Sequence, residues 1–229
     1  QPVDHQATFT QTYLAQPDPE VFVRAEMLEV NNSCFWREYA AGPNSPHNRG
    51  IALILKGFMR SPFFTEMRSN QQLGYIAWAG PTTRRDNLLL YFIIQSATHP
   101  ADDLEDRADA FIATYAQLLR DLPAENFAAL KAAAEEEVKK KAKSIAEKAG
   151  KFNTLAFGFD ADFERDRKTL VELESITQQE VVAFLEQTLG VQTRRIRTTL
   201  AFAREHEAAR AIENSFEDLA KWKESRIYR

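Results

Sequence analysis

Arg68 and Tyr75 are side chains of this 229-residue chain whose types could do chemistry on a polar substrate if the fold brought them together. Arginine presents a planar array of donors that fits a peptide carbonyl or a carboxylate. A tyrosine hydroxyl can donate to an oxyanion as it develops on an attacked carbonyl. The surrounding sequence, Ser61-Pro62-Phe63-Phe64-Thr65-Glu66-Met67-Arg68 and then Gln72-Leu73-Gly74-Tyr75, reads as a helix running into a strand. Ser61 followed by Pro62 is a helix-start signal, because proline at the first helical position forfeits no needed N–H. Phe63, Phe64 and Met67 then form a buried stripe, and Arg68, four residues after Phe64, lies at its edge. From Leu73 the period changes to two, which places Leu73, Tyr75 and Ala77 on one face and Ile76 with Trp78 on the other. Arg68 and Tyr75 are thus expected to converge where helix meets strand. Residue type alone also fits an ordinary surface cation and a half-buried strand aromatic.

Other chemistries find less support in the chain. The four histidines, His5, His47, His99 and His206, begin or end neither an H-x-x-E-H nor an H-E-x-x-H motif. The nearest approach is His206-Glu207-Ala208-Ala209-Arg210, where a permanent cation stands in the second ligand position; this segment reads as a plain helix. Cys34 is the single cysteine, so an internal disulfide and a cysteine-based zinc site are excluded; beside Phe35 and Trp36 it reads as a buried structural thiol. No serine or cysteine nucleophile context and no glycine-rich phosphate loop is present. A net charge of −4 gives no electrostatic footprint for nucleic acid or an anionic membrane. No apolar run approaches the roughly 20 residues of a membrane span, and no signal peptide is visible.

The elements that must position these residues follow from periodicity. Residues 1–20, with Pro2, Pro17 and Pro19, read as a lead-in or linker. Residues 21–30 and 34–40 read as two strands forming a hairpin across Asn31-Asn32-Ser33. Gly42 to Pro46 reads as a loop, and Ile51, Leu55, Phe58 and Met59 then mark a helix with one buried face. Leu88 to Ser96 is apolar on both faces, as in a strand covered on both sides. Leu104, Ala108, Phe111, Tyr115, Leu118 and Leu122 mark the next helix, and Phe127, Leu130, Ala134, Val138 and Ile145 the one after Pro123. The exposed face of that second helix pairs Glu135, Glu136 and Glu137 with Lys139, Lys140 and Lys141, a solvated charge run. Residues 150–166, with Phe152, Phe157, Phe159 and Phe163, are expected to pack on the domain. Thr177 with Glu180 forms a capping box, Gly190 ends that helix, and Arg195 to Phe202 alternates as a last strand. A charged helix from Arg204 and a short segment carrying Phe216, Leu219 and Trp222 complete the chain. Short links between these elements suit an α+β fold, an antiparallel sheet layered with helices.

Phe63-Phe64, Arg68, Gln72-Leu73-Gly74-Tyr75 and the downstream Ile94-Gln95-Ser96 together resemble the C-terminal half of the insulin-degrading enzyme and pitrilysin family of zinc peptidases. The resemblance runs from about Val21 to the end and is tight from Ser61 to Ser96. It implies that residues 21–229 are a single non-catalytic C-terminal domain of the family's repeated type. It also implies that the zinc and its H-x-x-E-H ligands lie on an N-terminal catalytic half, so that this chain alone is inactive and holds no cofactor. Arg68 and Tyr75 then map onto the pair that reaches the scissile region, in a domain forming one wall of a peptide-holding chamber. The partners implied are the catalytic half and peptide substrates, with no nucleic acid and no membrane. An inactive structural or partner subunit of the same fold is the alternative. Bacterial periplasm and cytoplasm are both open as compartments.

Overall fold

The computed structural model describes residues 20–84, 86–212, 215–216 and 218–224. The lead-in expected over residues 1–20 therefore lies, save for Glu20, outside the described residues. Among the described residues six strands form one sheet: β1 (Glu20–Met27), β2 (Ser33–Pro43), β3 (Ile76–Arg84), β4 (Asn87–Ser96), β5 (Arg195–Phe202) and the two-residue β6 (Ser215–Phe216). Their order is β3-β4-β2-β5-β1-β6. The pairs from β3 through β5 are antiparallel, and β1 runs parallel to both of its neighbours. The chain is thus the expected α+β domain with helices layered on a sheet, and its sheet is mixed at the β1 end.

The predicted hairpin between the first two strands does not form. β5 lies between them, pairing Leu200 with Phe35 on one side and with Ala25 on the other. The link from β1 to β2 passes the end of β5 instead, where the Leu28 N–H donates to the Phe202 carbonyl over 2.8 Å. The physical reason is burial. Ile196, Leu200 and Phe202 are nearly inaccessible to solvent, and a place between two strands covers β5 along both edges.

Helix α1 (Pro46–Phe64) is the spine of the helical layer, with Ile54, Leu55, Met59 and Phe63 wholly buried. A Ser-Pro start signal does operate here, but at Ser45-Pro46: the Ser45 hydroxyl accepts from the Asn48 N–H at 3.2 Å. The second such dipeptide, Ser61-Pro62, sits inside α1 rather than opening a helix. A proline there removes one rung of the helix ladder. The buried Tyr115 hydroxyl donates to the Met59 carbonyl at 2.8 Å in the same turn, and burial keeps its proton in place well above the usual tyrosine range. Beyond Phe64 the helix widens into a π-helical turn (Thr65–Asn70), the kind of local distortion common at functional sites.

The remaining helices are α2 (Ala101–Ile112), α3 (Tyr115–Arg120), α4 (Ala124–Lys139), α5 (Ile145–Gly158), α6 (Arg165–Ser175), α7 (Gln178–Leu189) and α8 (Leu219–Glu224). The capping box of Thr177 and Glu180 is present, and Gly190 caps the end of α7. Several expectations are corrected. α4 stops at Lys139, so only the Glu135–Lys139 pair of the charge run forms; Glu137 pairs with Lys56 instead. Ile145 opens α5 and is 90% exposed, because the lysine-rich break at 140–143 ends the buried stripe. Phe152, Phe157 and Phe163 are exposed as well rather than packed on the domain. β4 buries Leu90, Phe92 and Ile94 under the helices, while Tyr91 and Ile93 on the other face are half-buried. Among the described residues no helix is long and apolar enough to cross a membrane.

Residues 203–212 form turns rather than the helix expected from Arg204. They are tied to α2, where the Ala209 N–H donates to Asp102 at 2.6 Å and Arg210 bonds Glu105 at 2.8 Å. Glu105 also pairs with Arg37 of β2, a side chain only 3% exposed that bonds Thr198 of β5 at 2.9 Å and pairs with Asp109. This buried ionic knot fastens α2 across two strands. Removing one member of such a pair leaves a buried charge without its partner, which costs about 3–5 kcal/mol. Arg37→Ala is therefore expected to lower unfolding stability by that amount in urea titration, and the paired Arg37→Met with Glu105→Leu change to recover most of it. A loss below about 1 kcal/mol for the single change contradicts this assignment.

Burial also pushes the Cys34 thiol up to about 11, so little of it is thiolate at neutral pH. The native protein is expected to react with a maleimide at pH 7.5 at least tenfold more slowly than the urea-unfolded chain. Equal rates contradict a structural role for the thiol.

Candidate functional site

The site begins with two buried anchors, Met67 in the π-helical turn and Leu73 after it, both about 1% exposed or less. Fully burying side chains of this size contributes about 2–3 kcal/mol each. Between them the chain turns sharply. The Leu73 N–H donates to the Met67 carbonyl and the Gln71 N–H to the Glu66 carbonyl, each at 3.0 Å. Gln72 takes a positive φ of 54°, a left-handed conformation costing a non-glycine residue roughly 1–2 kcal/mol.

Gly74 then passes against β4 so closely that a Cβ on it would lie 1.9 Å from the Gln95 carbonyl oxygen and 3.3 Å from the Ser96 Cα. Only glycine admits that approach. The contact gives a physical reason for Gln-Leu-Gly-Tyr and Ile-Gln-Ser to occur together: one motif supplies the glycine and the other the backbone it rests on.

Tyr75 comes immediately after this contact. The period-two reading placed it with Leu73 and Ala77, and the structure corrects this: those two are buried and Tyr75 is 78% exposed. β3 begins only at Ile76, so residues 72–75 obey turn geometry rather than the strand period.

Arg68 and Tyr75 do converge. The Arg68 guanidinium carbon lies 4.4 Å from the centre of the Tyr75 ring and 4.8 Å from that of Phe64. Contacts with two aromatic rings are each worth roughly 0.5–1 kcal/mol at exposed sites. Among the described residues the guanidinium makes these ring contacts but no ion pair or hydrogen bond. Its donors and the exposed phenol are therefore available to a ligand at one surface point, the arrangement needed to bind and polarise an amide carbonyl.

A polar bracket that the sequence reading missed lies behind the turn. The Glu66 carboxylate accepts from the Gln71 side-chain amide at 2.9 Å and from that of Asn70 at 2.7 Å. The Gln71 amide, followed by that of Asn70, holds the Glu66 carboxyl below its ordinary range. Arg107 of α2 donates to the Gln71 amide oxygen at 3.2 Å and pairs with Asp103 at 2.9 Å. Glu66, Asn70 and Gln71 are close enough in sequence for such local bonds to be anticipated; Arg107 is too distant.

Among the described residues no group of three or more His, Cys, Asp or Glu side chains is arranged to hold a metal ion. His206 lies in a turn rather than the expected helix, with Nδ1 2.8 Å from the Ser33 hydroxyl.

Residues 54–153, which include Arg68, Tyr75 and Arg107, match the family described as PQQ synthase PqqF-like, C-terminal lobe domain 4. The human insulin-degrading enzyme is 27% identical over 180 residues, covering 78% of this chain. The chain spans only 18% of that relative's length. The fold superposes on the crystal structure of pitrilysin with a TM-score of 0.84 at 16% identity, over 96% of this chain and 24% of that one. A structure described as a peptidase M16 inactive domain from Pseudomonas fluorescens matches with a TM-score of 0.59 at 15% identity, over 87% of this chain and 47% of that one.

The Gly74 contact yields a direct prediction. Gly74→Ala must move the turn or β4, so it is expected to cost at least about 2 kcal/mol in urea unfolding. Gly150→Ala, in α5 with nothing within 4 Å of the added carbon, is expected to stabilise by roughly 0.5–1 kcal/mol. Similar effects of the two changes contradict the close approach.

Proposed function

We propose, on the premise that this chain belongs to the insulin-degrading enzyme and pitrilysin peptidase family as a C-terminal-lobe domain, that it supplies substrate contacts to a zinc site carried elsewhere. In this reading residues 21–229 are one non-catalytic domain. It closes against an N-terminal catalytic half and forms one wall of the chamber that holds a peptide. Zinc on that half supplies the activation of water. The residues of this chain bind and orient: Arg68 holds a backbone carbonyl near the cleaved bond, and the Tyr75 hydroxyl donates to the oxyanion as negative charge builds.

The observation that supports this reading is the stack itself. Arg68, half-buried, and Tyr75, exposed, come from opposite sides of a sharp turn to a guanidinium-to-ring distance of 4.4 Å, with no internal acceptor for either among the described residues. A merely structural arginine on a surface helix has no need of a glycine forced against a carbonyl to meet a tyrosine. Stacking also restrains both side chains before a ligand arrives, which lowers the ordering cost of binding.

Losing one oxyanion donor costs about 3 kcal/mol in the transition state. In the full-length protein carrying this domain, Tyr75→Phe keeps the ring and its stack and removes only the hydroxyl, so turnover of a fluorogenic peptide is expected to fall at least tenfold. Arg68→Ala is expected to fall as far. Near-native turnover in both variants contradicts the site and favours a structural role for the domain.

A further inference from the structure

We infer that Arg107, acting through Gln71, is a positioning residue that sets the orientation of Tyr75 for that reaction. The inference rests on the reading of Arg68 and Tyr75 given above and extends it to a residue on another helix.

The turn from the π-helical segment to β3 is fixed at its two apolar ends by Met67 and Leu73, yet its tip must hold Gln72 at a positive φ of 54°. Left to itself, a glutamine there relaxes toward negative φ, and Tyr75, three residues on, swings with it. The Gln71 side chain prevents this by being held at both ends. Its amide nitrogen donates to Glu66 at 2.9 Å and its amide oxygen accepts from Arg107 at 3.2 Å.

A primary amide suits this position because it offers a donor and an acceptor together. A glutamate there would set a carboxylate oxygen against Glu66, and a leucine would satisfy neither partner. Arg107 is aimed in turn by Asp103, one helical turn back on α2, at 2.9 Å. α2 is itself fastened to the sheet through Glu105, Asp109 and the buried Arg37. The chain of contacts therefore runs from the rigid sheet, through α2, to the tip of the turn that carries Tyr75. Arg107 contacts neither Arg68 nor Tyr75 in any hydrogen bond or ring contact described, so its influence passes through Gln71.

The test measures kcat and KM separately in the full-length protein with a fluorogenic peptide. Arg107→Ala and Gln71→Leu are each expected to lower kcat about five- to tenfold with KM within twofold. Arg107→Lys, which keeps a donor for the Gln71 oxygen, is expected to restore kcat to within threefold of native. The double variant Arg107→Ala with Tyr75→Phe is expected to be no more than twofold slower than Tyr75→Phe alone, because both changes remove the same contribution. Full multiplication of the two losses, or a native kcat for Arg107→Ala, overturns the inference.

A second readout does not depend on activity. 3-Fluorotyrosine placed at position 75 is expected to give one ¹⁹F resonance that shifts or broadens in Arg107→Ala and returns in Arg107→Lys. An unchanged resonance in Arg107→Ala overturns the inference. If Tyr75→Phe turns over normally while the resonance responds, the bracket stands and the catalytic reading of Tyr75 falls.

Discussion

The backbone of Gly74 pressed against the carbonyl of Gln95 is the constraint on which the rest of the site depends. It fixes where the chain leaves the helical layer and enters the sheet, to within the tolerance of a van der Waals contact. Phe63 brings the end of the long helix down onto Phe92 of β4, Met67 is buried in the turn that follows, and Leu73 buries the far side of that turn. With both ends anchored and the Gln71 side chain held at the tip, the residues between them have one route to follow, and that route points Tyr75 outward. Arg68, on the widened π-helical turn, then stacks between the Phe64 and Tyr75 rings. The buried contacts set the geometry, and the half-buried Arg68 and the exposed Tyr75 carry the donors.

This division accounts for the placement of polar groups in the domain. The ionic knot of Arg37, Glu105, Asp109 and Arg210 is satisfied internally and serves to fasten α2. Arg68 differs in kind, since its charge is steadied by aromatic faces and its donors have no partner among the described residues. One set of charges is committed to the fold and the other is not. The distinction comes from partners, not from residue type.

Much of the fold was legible in the sequence because it rests on periodicity and local capping. The buried face of α1, the capping box at Thr177 and Glu180, and the strand from Arg195 to Phe202 all appear where the pattern places them. What was not legible depends on competition between distant segments. The first two strands look like a hairpin until β5 inserts between them, because local alternation does not name a strand's neighbour. Ser61-Pro62 carries the same start signal as Ser45-Pro46, yet it falls inside the helix already begun at Pro46, with Phe63 buried beside it. Arg68 and Tyr75 were legible as a pair through their motif, but the side Tyr75 faces was not, since one left-handed residue at Gln72 breaks the strand period. Arg107 belongs to a helix that begins after β4, and its spacing to Gln71 follows no local rule.

The central claim is that Tyr75 meets the substrate backbone beside the bond that is cleaved. Its most direct test is photo-crosslinking. p-Benzoylphenylalanine is placed at position 75 of the full-length protein, with the proposed catalytic half made inactive by mutation, and irradiated with a peptide of known cleavage position. Mass spectrometry then maps the adduct. Crosslinks confined to the residues flanking the scissile bond are the predicted result. No adduct with bound peptide, or adducts only at positions remote from that bond, would contradict the account.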